Sequence, residues 1–268
     1  MMDNGATLLR LGVFVVFFLV LAACEFVRPL RPWQGRVQRW PTNIGLSVVN
    51  SLVLRVSMAL VPGLGLAVAA TVFAGFGLLP SLGVPGALQQ VIGFVLLDAA
   101  VYAQHRVFHL VPVLWRLHQV HHADLTLDVS SAVRFHPIEI LLSQAWKLLV
   151  VIGAGVPPGA ALAFEIVLNA GSMFSHANVR LPTGFERIVR RFVVTPDMHR
   201  IHHSVQREEM NSNFGFNFSV WDRMFGSYVG QPKQPADTMD MGLPDYRGSA
   251  TSAFAWLLAM PFRRGSPT

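Results

Sequence analysis

The alternation of apolar and polar segments divides most of the chain into long hydrophobic runs. Residues 6–23 form a run with hardly a polar break, and residues 89–104 open another. Two more runs, 138–153 and 160–175, are joined by the pair Pro157–Pro158. A membrane-spanning helix needs about 20 predominantly apolar residues. The pattern therefore predicts several membrane helices, the last two of which form a helical hairpin.

One further apolar segment, residues 44–79, does not resolve into a single regular run. Arg55 and the tetrapeptide PGLG at 62–65 interrupt it. The segment allows one broken span, a hairpin, or a span followed by a helix at the membrane surface.

After Pro182 the chain becomes mixed and polar. Residues 184–226 predict a cap of short helices, 229–250 a loop rich in Gly, Pro and Asp, and 253–262 a short interfacial helix. The predicted fold class is all-α. We expect an integral membrane bundle of about 4–5 membrane helices, with a cytoplasmic, histidine-rich helical cap. The predicted segments are 1–84, 85–228 and 229–268.

Composition supports a membrane location. Apolar residues make up 52% of the chain and charged residues 13%, whereas soluble domains carry about 25% charged residues. The net charge of +6 fits positive-inside loops and anionic membrane lipids, and no basic stripe with interleaved aromatics indicates nucleic acid. Cys24 is the single cysteine, which excludes an internal disulfide and a multi-cysteine zinc site. Its setting, LVLAAC, resembles a lipobox, but the end of a first membrane helix explains it as well.

All ten histidines lie between His105 and His203. Their spacing repeats intervals of three and four, as HxxxH at 105–109 and as HxxHH at 118–122 and 199–203. Residues three and four apart share one face of a helix, so each triplet offers two or three imidazoles to one point. Imidazole binds Zn, Fe, Cu and Ni, and eight such ligands exceed what one zinc ion uses. The spacing therefore predicts two metal ions, because a pH sensor or a core cluster would not need two matched triplets.

Other polar residues share helical faces with these histidines. Asp98 and Tyr102 lie on the stripe that continues to His105 and His109, where they are candidates to orient ligand imidazoles; hydrogen bonding between helices is an equal alternative. Glu165, Asn169, Ser172 and His176 form a second such stripe, which makes His176 a candidate ligand. His136 precedes Pro137, which we expect to open a helix.

The distribution of arginine indicates topology. Arginines are frequent around the histidine segments and again at 28–39, which predicts that both lie on the cytoplasmic side. For these two regions to agree, residues 44–79 must cross the membrane an odd number of times, and a single broken span is the consistent choice. We expect a bacterial inner membrane protein with its metal site on the cytoplasmic side.

The chain resembles the sterol desaturase / fatty acid hydroxylase superfamily. The resemblance is carried, in order, by DAAVYAQHRVFH, LWRLHQVHHAD, SAVRFHPIE, PDMHRIHHS, NSNFGFN and WDRMFGSY, which lie within about 85–228. The resemblance implies a membrane-bound non-haem di-iron oxygenase that uses O2 and external electrons to hydroxylate or desaturate a lipid.

The resemblance also assigns residues. The implied metal ligands are His105, His109, His118, His121, His122, His176, His199, His202 and His203. His136 and Glu139, in HPIE, are candidates near the metals, and Asp222 and Trp221 are expected to be structural. Arg180 stands where many relatives have a further histidine, so the last ligand is open.

Cofactors and partners follow from the same resemblance. Two iron ions are expected, with O2 as co-substrate, and zinc can replace iron in a purified sample. The substrate is expected to be a lipid or a sterol-like molecule. No dinucleotide fingerprint or iron–sulfur motif is present, so a separate reductase, ferredoxin or cytochrome must supply electrons. The alternatives are a metal-ion transporter and a zinc hydrolase, although no HExxH motif occurs.

Overall fold

The protein is built from helices throughout the part that the computed structural model describes, which is residues 4–32, 35–61 and 65–263. Residues 62–64, within the PGLG tetrapeptide, lie outside the described residues. The helices are α1 Asn4–Val27, α2 Arg36–Leu60, α3 Leu66–Val72, α4 Leu78–Ser81, α5 Gly86–Leu110, α6 Pro112–His122, α7 Pro137–Ala154, α8 Pro158–His176, α9 Thr183–Val189, α10 Pro196–His202, α11 Arg207–Met210, α12 Val220–Met224 and α13 Phe254–Ala259.

Four of these helices are long and apolar enough to cross a membrane, namely α1, α2, α5 and α7. The fifth long helix, α8, has 19 residues but carries Glu165 and Asn169 and is not in this set. Large apolar side chains point outward from α1, where Leu8 is 68% and Leu19 61% exposed. Water would disfavour such a surface but lipid would not. The predicted all-α membrane bundle is confirmed.

The segment 44–79 differs in detail from its prediction. Its membrane helix, α2, begins at Arg36, well before the apolar run, and ends at Leu60. The rest of the segment does not continue the span. It forms the short helices α3 and α4, which pack beside α7 and α8 at the far end of the bundle. One candidate span therefore lies here, which is the odd number that the arginine pattern requires.

The helices place the histidine segments at one end of the bundle, which we call the histidine end. Here α5 and α8 end, α7 begins, and α6 and α10 pack against them. The backbone after α1 joins the same end, where Leu30 N–H donates to the carbonyl of Asn178 (2.9 Å). The opposite end contains the α7–α8 turn, at which Gly155 has a φ of 71°, a conformation that favours glycine.

Proline and a capping side chain start several helices at the histidine end. Pro137 opens α7, and the His136 ring accepts a hydrogen bond from Ile138 N–H (3.2 Å). Thr195 caps α10 in the same way, followed by Pro196. Proline suits the first helical position because its missing N–H would have no partner there. The first turns of two site-forming helices are thereby set by local sequence.

The C-terminal apolar stretch packs onto the protein. α13 and the 3-10 turn Met260–Phe262 follow 249–252, and Leu257 and Met260 are buried against Leu46 and Trp115. The stretch thus covers the outer side of α6.

A buried polar clamp fastens α2 to the chain that follows α6. Arg39 donates to both carboxylate oxygens of Asp124 (2.6 and 2.7 Å) and to Asp128 (2.9 Å). Although burial alone would raise the pKa of Asp124, the charges of Arg39 and Arg134 hold it below its usual range. Breaking a buried ion pair leaves an unpaired charge, which costs about 3–5 kcal/mol.

We therefore expect Arg39→Ala to lower the melting temperature of the purified protein in detergent by roughly 10 °C or more, since each kcal/mol corresponds to about 2–4 °C in a chain of this size. The expected cause of this lower melting temperature is the loss of the ion pairs with Asp124 and Asp128, and not the removal of an arginine in general. Arg28→Ala removes an exposed arginine near the same end and is the control, for which no shift is expected. Equal melting temperatures for Arg39→Ala and wild type would contradict the role of the clamp.

Candidate metal centre

Nine of the ten histidines converge at the histidine end in two adjacent groups. The five-histidine group consists of His105, His109, His118, His122 and His202, and the four-histidine group of His121, His176, His199 and His203. Within each group the candidate ligand atoms lie within 4.8 Å of one another. The groups adjoin each other, since the rings of His122 and His203 stack with their centroids 4.4 Å apart.

Each HxxHH triplet is divided between the two groups. In α6, His118 and His122 enter the five-histidine group, whereas His121 enters the four-histidine group. In the triplet that begins in α10 the assignment is reversed, since His199 and His203 enter the four-histidine group and His202 enters the five-histidine group. Helix residues advance by about 100° each. Relative to position i, the side chain at i+4 is therefore turned by about 40° in one direction and that at i+3 by about 60° in the other. Helical geometry thus sends the middle histidine of each triplet to the neighbouring group.

Several imidazoles are oriented by an acceptor on their Nδ1 atom. The pairs are His105 with the Phe214 carbonyl (2.8 Å), His118 with Glu139 Oε1 (2.6 Å), His121 with the Arg134 carbonyl (3.3 Å), His176 with the Ser172 carbonyl (2.7 Å) and His202 with the Ser212 carbonyl (2.7 Å). Carbonyls and carboxylates only accept, so the hydrogen must be on Nδ1. Each Nε2 then carries a lone pair and is available as a ligand.

These lone pairs face each other. His105 Nε2 and His118 Nε2 are 3.0 Å apart, and His121 Nε2 and His176 Nε2 are 3.1 Å apart. With both hydrogens on Nδ1, neither nitrogen can donate to the other, so the contact is repulsive until a cation lies between them. Metal–nitrogen bonds of about 2.1 Å at right angles place ligand nitrogens about 3 Å apart. The spacing of the nitrogens therefore fits a bound metal ion in each group.

Other ring nitrogens in both groups are buried without a hydrogen-bond partner among the described residues. They are both nitrogens of His109, Nε2 of His122 and His202, and Nδ1 of His199 and His203. Buried polar atoms in proteins are nearly always satisfied. Metal coordination would satisfy atoms of this kind in both groups.

Burial also sets the protonation state. It lowers the pKa of His202 to about 3. Burial and the neighbouring histidines lower the pKa of His121, His122, His199 and His203 well below the usual value. These five imidazoles are therefore neutral at pH 7, and the neutral form is the one that binds metals.

A buried aspartate holds the loop whose carbonyls orient His105 and His202. Asp222 accepts hydrogen bonds from the backbone N–H groups of Phe214 (2.7 Å) and Gly215 (2.9 Å). A side chain at Gly215 would lie 2.9 Å from Asp222, from the Phe218 carbonyl and from Val194, so the loop requires glycine here. The motif NSNFGFN thus supplies backbone acceptors, and Asp222 fixes their position.

The two residues of the α5 stripe act on the same loop instead of on the histidines. Asp98 accepts from the side chains of Asn217 (2.8 Å) and Trp221 (2.8 Å) and from Phe218 N–H. The Tyr102 hydroxyl bonds to that of Ser227 (2.8 Å). Asp98 and Tyr102 thus lie further from the two histidine groups than the sequence predicted, because this part of the α5 face is turned toward the cap.

The remaining predicted residues are placed as follows. Glu139 contacts His118 directly, whereas His136 caps α7, bonds to the Leu258 carbonyl (3.3 Å) and lies outside both groups. Arg180 is exposed and pairs with Asp237. Glu165 pairs with Arg10, at 2.5 Å, and does not extend the stripe to His176.

A cavity of about 420 Å³ opens from the five-histidine group into the bundle. His105, His118 and Glu139 form part of its wall at the histidine end. A reactant in this cavity would lie directly beside the five-histidine group.

The buried groups that support the histidines were not predicted from the sequence. The Arg39–Asp124 clamp and the carbonyls of Arg134, Ser212 and Phe214 carry no ligand-type signal. The signal that existed was indirect. Asp124 and Asp128 follow a histidine triplet within eight residues in an apolar chain, where a buried carboxylate must have a partner.

The fold and the site together define a class, which is an all-α membrane protein with a two-part histidine centre beside an intramembrane cavity. The chain belongs to the fatty acid hydroxylase family, whose model matches residues 90–227. This range contains both histidine groups, the cavity-lining Glu139 and the loop held by Asp222.

Curated relatives carry related names. Ornithine lipid hydroxylase OlsE of Rhizobium tropici is 33% identical over 67% of this chain and 52% of its own length. Human alkylglycerol monooxygenase is 28% identical over 50% of this chain and 29% of its own. Cholesterol 25-hydroxylase of Rattus norvegicus is 28% identical over 51% of this chain and 45% of its own. The chain thus spans about half or less of these relatives. No solved structure matches it significantly.

Metal content separates ligand histidines from the structural one. We expect His121→Ala and His202→Ala each to lose at least half of the bound metal, measured by elemental analysis of the purified protein, because each removes a candidate ligand from a different group. His136→Ala is the matched control. It should keep its metal and lose only about 1 kcal/mol of stability, the usual contribution of a helix cap. Full metal content in His121→Ala would remove that histidine from the metal shell.

Proposed function

We propose that the protein is an O2-dependent membrane oxygenase that hydroxylates a lipid or sterol-like substrate with two iron ions. The observation that carries this proposal is a pair of adjacent histidine groups, one of which lines a cavity inside a membrane bundle. The names of three relatives, each a hydroxylase or monooxygenase of a lipid or sterol, support hydroxylation over desaturation.

The stoichiometry of hydroxylation defines which other reactants the protein needs. Hydroxylation converts R–H, O2, two electrons and two protons into R–OH and water. When bound, the irons supply the redox chemistry for cleaving O2 that acid–base side chains cannot provide. The nine imidazoles would hold them, five in one group and four in the other. An imidazole shell adds no negative charge to a site at a membrane, where charge is costly.

Glu139 positions a ligand and can hold a proton. Its Oε1 accepts from His118 Nδ1 (2.6 Å) and fixes the ring orientation. Its Oε2 is buried without a hydrogen-bond partner among the described residues, and Glu139 lines the cavity. A proton on Oε2 would therefore lie beside both the substrate space and the five-histidine group.

The electrons must come from another protein, such as a reductase, ferredoxin or cytochrome, because the sequence carries no motif for a redox cofactor of its own. The histidine end has exposed arginines at 180, 187 and 191. Basic surfaces steer acidic partners toward them. We place the donor site on this cap surface, on the cytoplasmic side.

The alternative of a metal-ion transporter has less support. Transporters hold their ions near the middle of the membrane at sites open to either side in turn. Here all nine clustered histidines lie at one end of the bundle. The site is therefore better suited to retaining metal than to passing it across.

Isotope labelling of cell lipids tests the function. Cells that express the protein should accumulate a lipid with one additional oxygen, and growth under ¹⁸O2 should label that oxygen, as read by mass spectrometry. Cells that express His121→Ala are the control and should lack the product. Purified protein should contain two irons per chain. An oxygen derived from water, or no oxygenated lipid at all, would overturn the proposal.

Topology is testable with reporters. A reporter fused to the C-terminus should be cytoplasmic, because α13 packs at the histidine end. A reporter fused after Gly83, between α4 and α5 at the far end, should lie on the opposite side. The reverse result would place the metal site outside the cytoplasm.

A further inference from the structure

The cavity beside the five-histidine group contains charged residues that the hydroxylation chemistry does not use. Arg10, Arg55, Lys147 and Glu165 all line it, and they come from four different long helices, α1, α2, α7 and α8. A charge in the interior of a membrane is costly and usually marks a functional site. Four helices would not each direct a charge to one cavity for packing alone.

These charges do not balance. Arg10 and Glu165 form an ion pair of 2.5 Å. Lys147 lies close enough to interact electrostatically with the same carboxylate. Arg55 has no ion pair among the described residues. The other carboxylate of the wall, Glu139, is held by His118. Three basic side chains, Arg10, Arg55 and Lys147, therefore face one carboxylate in this part of the cavity.

The charged residues lie at the end of the cavity away from the metal groups. Lys147 follows Glu139 by eight residues on α7, which is about 12 Å along the helix axis. Glu165 precedes His176 by eleven residues on α8, or about 16 Å. The wall between is also polar, with side chains of Asn50, Gln104, Ser143 and Asn169. Asn50 Oδ1 is buried without a hydrogen-bond partner among the described residues, and a polar group in the cavity would satisfy it where a hydrocarbon chain would not.

We propose that Arg55 and Lys147 bind the anionic group, a carboxylate or a phosphate, of an amphiphilic substrate, so that its polar head group occupies the cavity and presents a carbon to the histidine groups. The hydrocarbon part then extends between the helices toward lipid. A cavity of about 420 Å³ holds a head group but not a whole two-chain lipid. The assignment rests on the proposed function and narrows its substrate class to lipids with an anionic or zwitterionic head.

Binding of defined probes tests the assignment without turnover. The probes are N-dodecanoylglycine, dodecyl phosphate and neutral monododecanoylglycerol, added to the full-length, metal-loaded protein in detergent, with affinity read from the shift in melting temperature. We expect one of the anionic probes to bind at least tenfold more tightly than the neutral one. The two anionic probes tell a carboxylate site from a phosphate site.

The variants are Lys147→Met and Arg55→Gln, which remove charge with little change in size. Each should reduce anionic-probe affinity at least tenfold and leave metal content and neutral-probe affinity unchanged. Lys147→Arg keeps the charge and should retain binding even if Lys147→Met is unstable. The controls are Lys233→Met and Arg116→Gln, which alter exposed charges outside the cavity and should behave as wild type.

Equal affinity for neutral and anionic probes, or unchanged affinity in both charge-removing variants, would overturn this assignment while leaving the hydroxylase proposal intact. The absence of any ¹⁸O-labelled lipid product, with anionic probes still bound through Lys147, would overturn the hydroxylase proposal and leave the anionic site in place.

Discussion

The constraint on which the structure depends is the close approach of imidazole nitrogens whose lone pairs face each other at about hydrogen-bond distance. His105 with His118 and His121 with His176 meet at 3.0 and 3.1 Å between Nε2 atoms, although their hydrogens are held on Nδ1 by carbonyls and by Glu139. Such contacts are unfavourable unless a cation lies among them. The surrounding protein is therefore organised to hold these rings in place before a metal binds, which is how proteins prepare a metal site.

That organisation has two parts. The long helices bring their ends together at one side of the bundle, since α5 and α8 finish there and α7 starts there. Buried polar contacts then fix the connecting segments, with Arg39 clamping Asp124 and Asp128 behind α6, and Asp222 and Asp98 holding the loop that supplies carbonyls to His105 and His202. Each of these groups is itself fully buried or nearly so. Because these groups are buried, the loss of any one partner would leave an unsatisfied charge or dipole.

In the proposed reaction the cavity would connect the metal chemistry to the choice of substrate. Its histidine end is lined by His105, His118 and Glu139, whereas its far end is lined by three basic side chains and one carboxylate. The separation of about 12–16 Å along the helices places recognition and reaction at different levels of one space. Remote binding groups of this kind position the reacting carbon without touching it.

The sequence by itself determined the features that depend on local periodicity. Apolar runs located α1 and α7 to within a few residues, although α2 begins before its run and ends at Leu60. The spacing of HxxxH and HxxHH identified eight of the nine histidines that the structure gathers, and a polar stripe on the predicted helix 160–175 indicated the ninth, His176. Only the tertiary structure decided how each triplet is divided between the groups, that Asp98 and Tyr102 face the cap loop, that His136 caps a helix, and that Arg55 and Lys147 share a cavity. The physical reason is that periodicity specifies which face of a helix a residue occupies, whereas its partner can belong to a distant segment, as Glu165 lies 155 residues from Arg10.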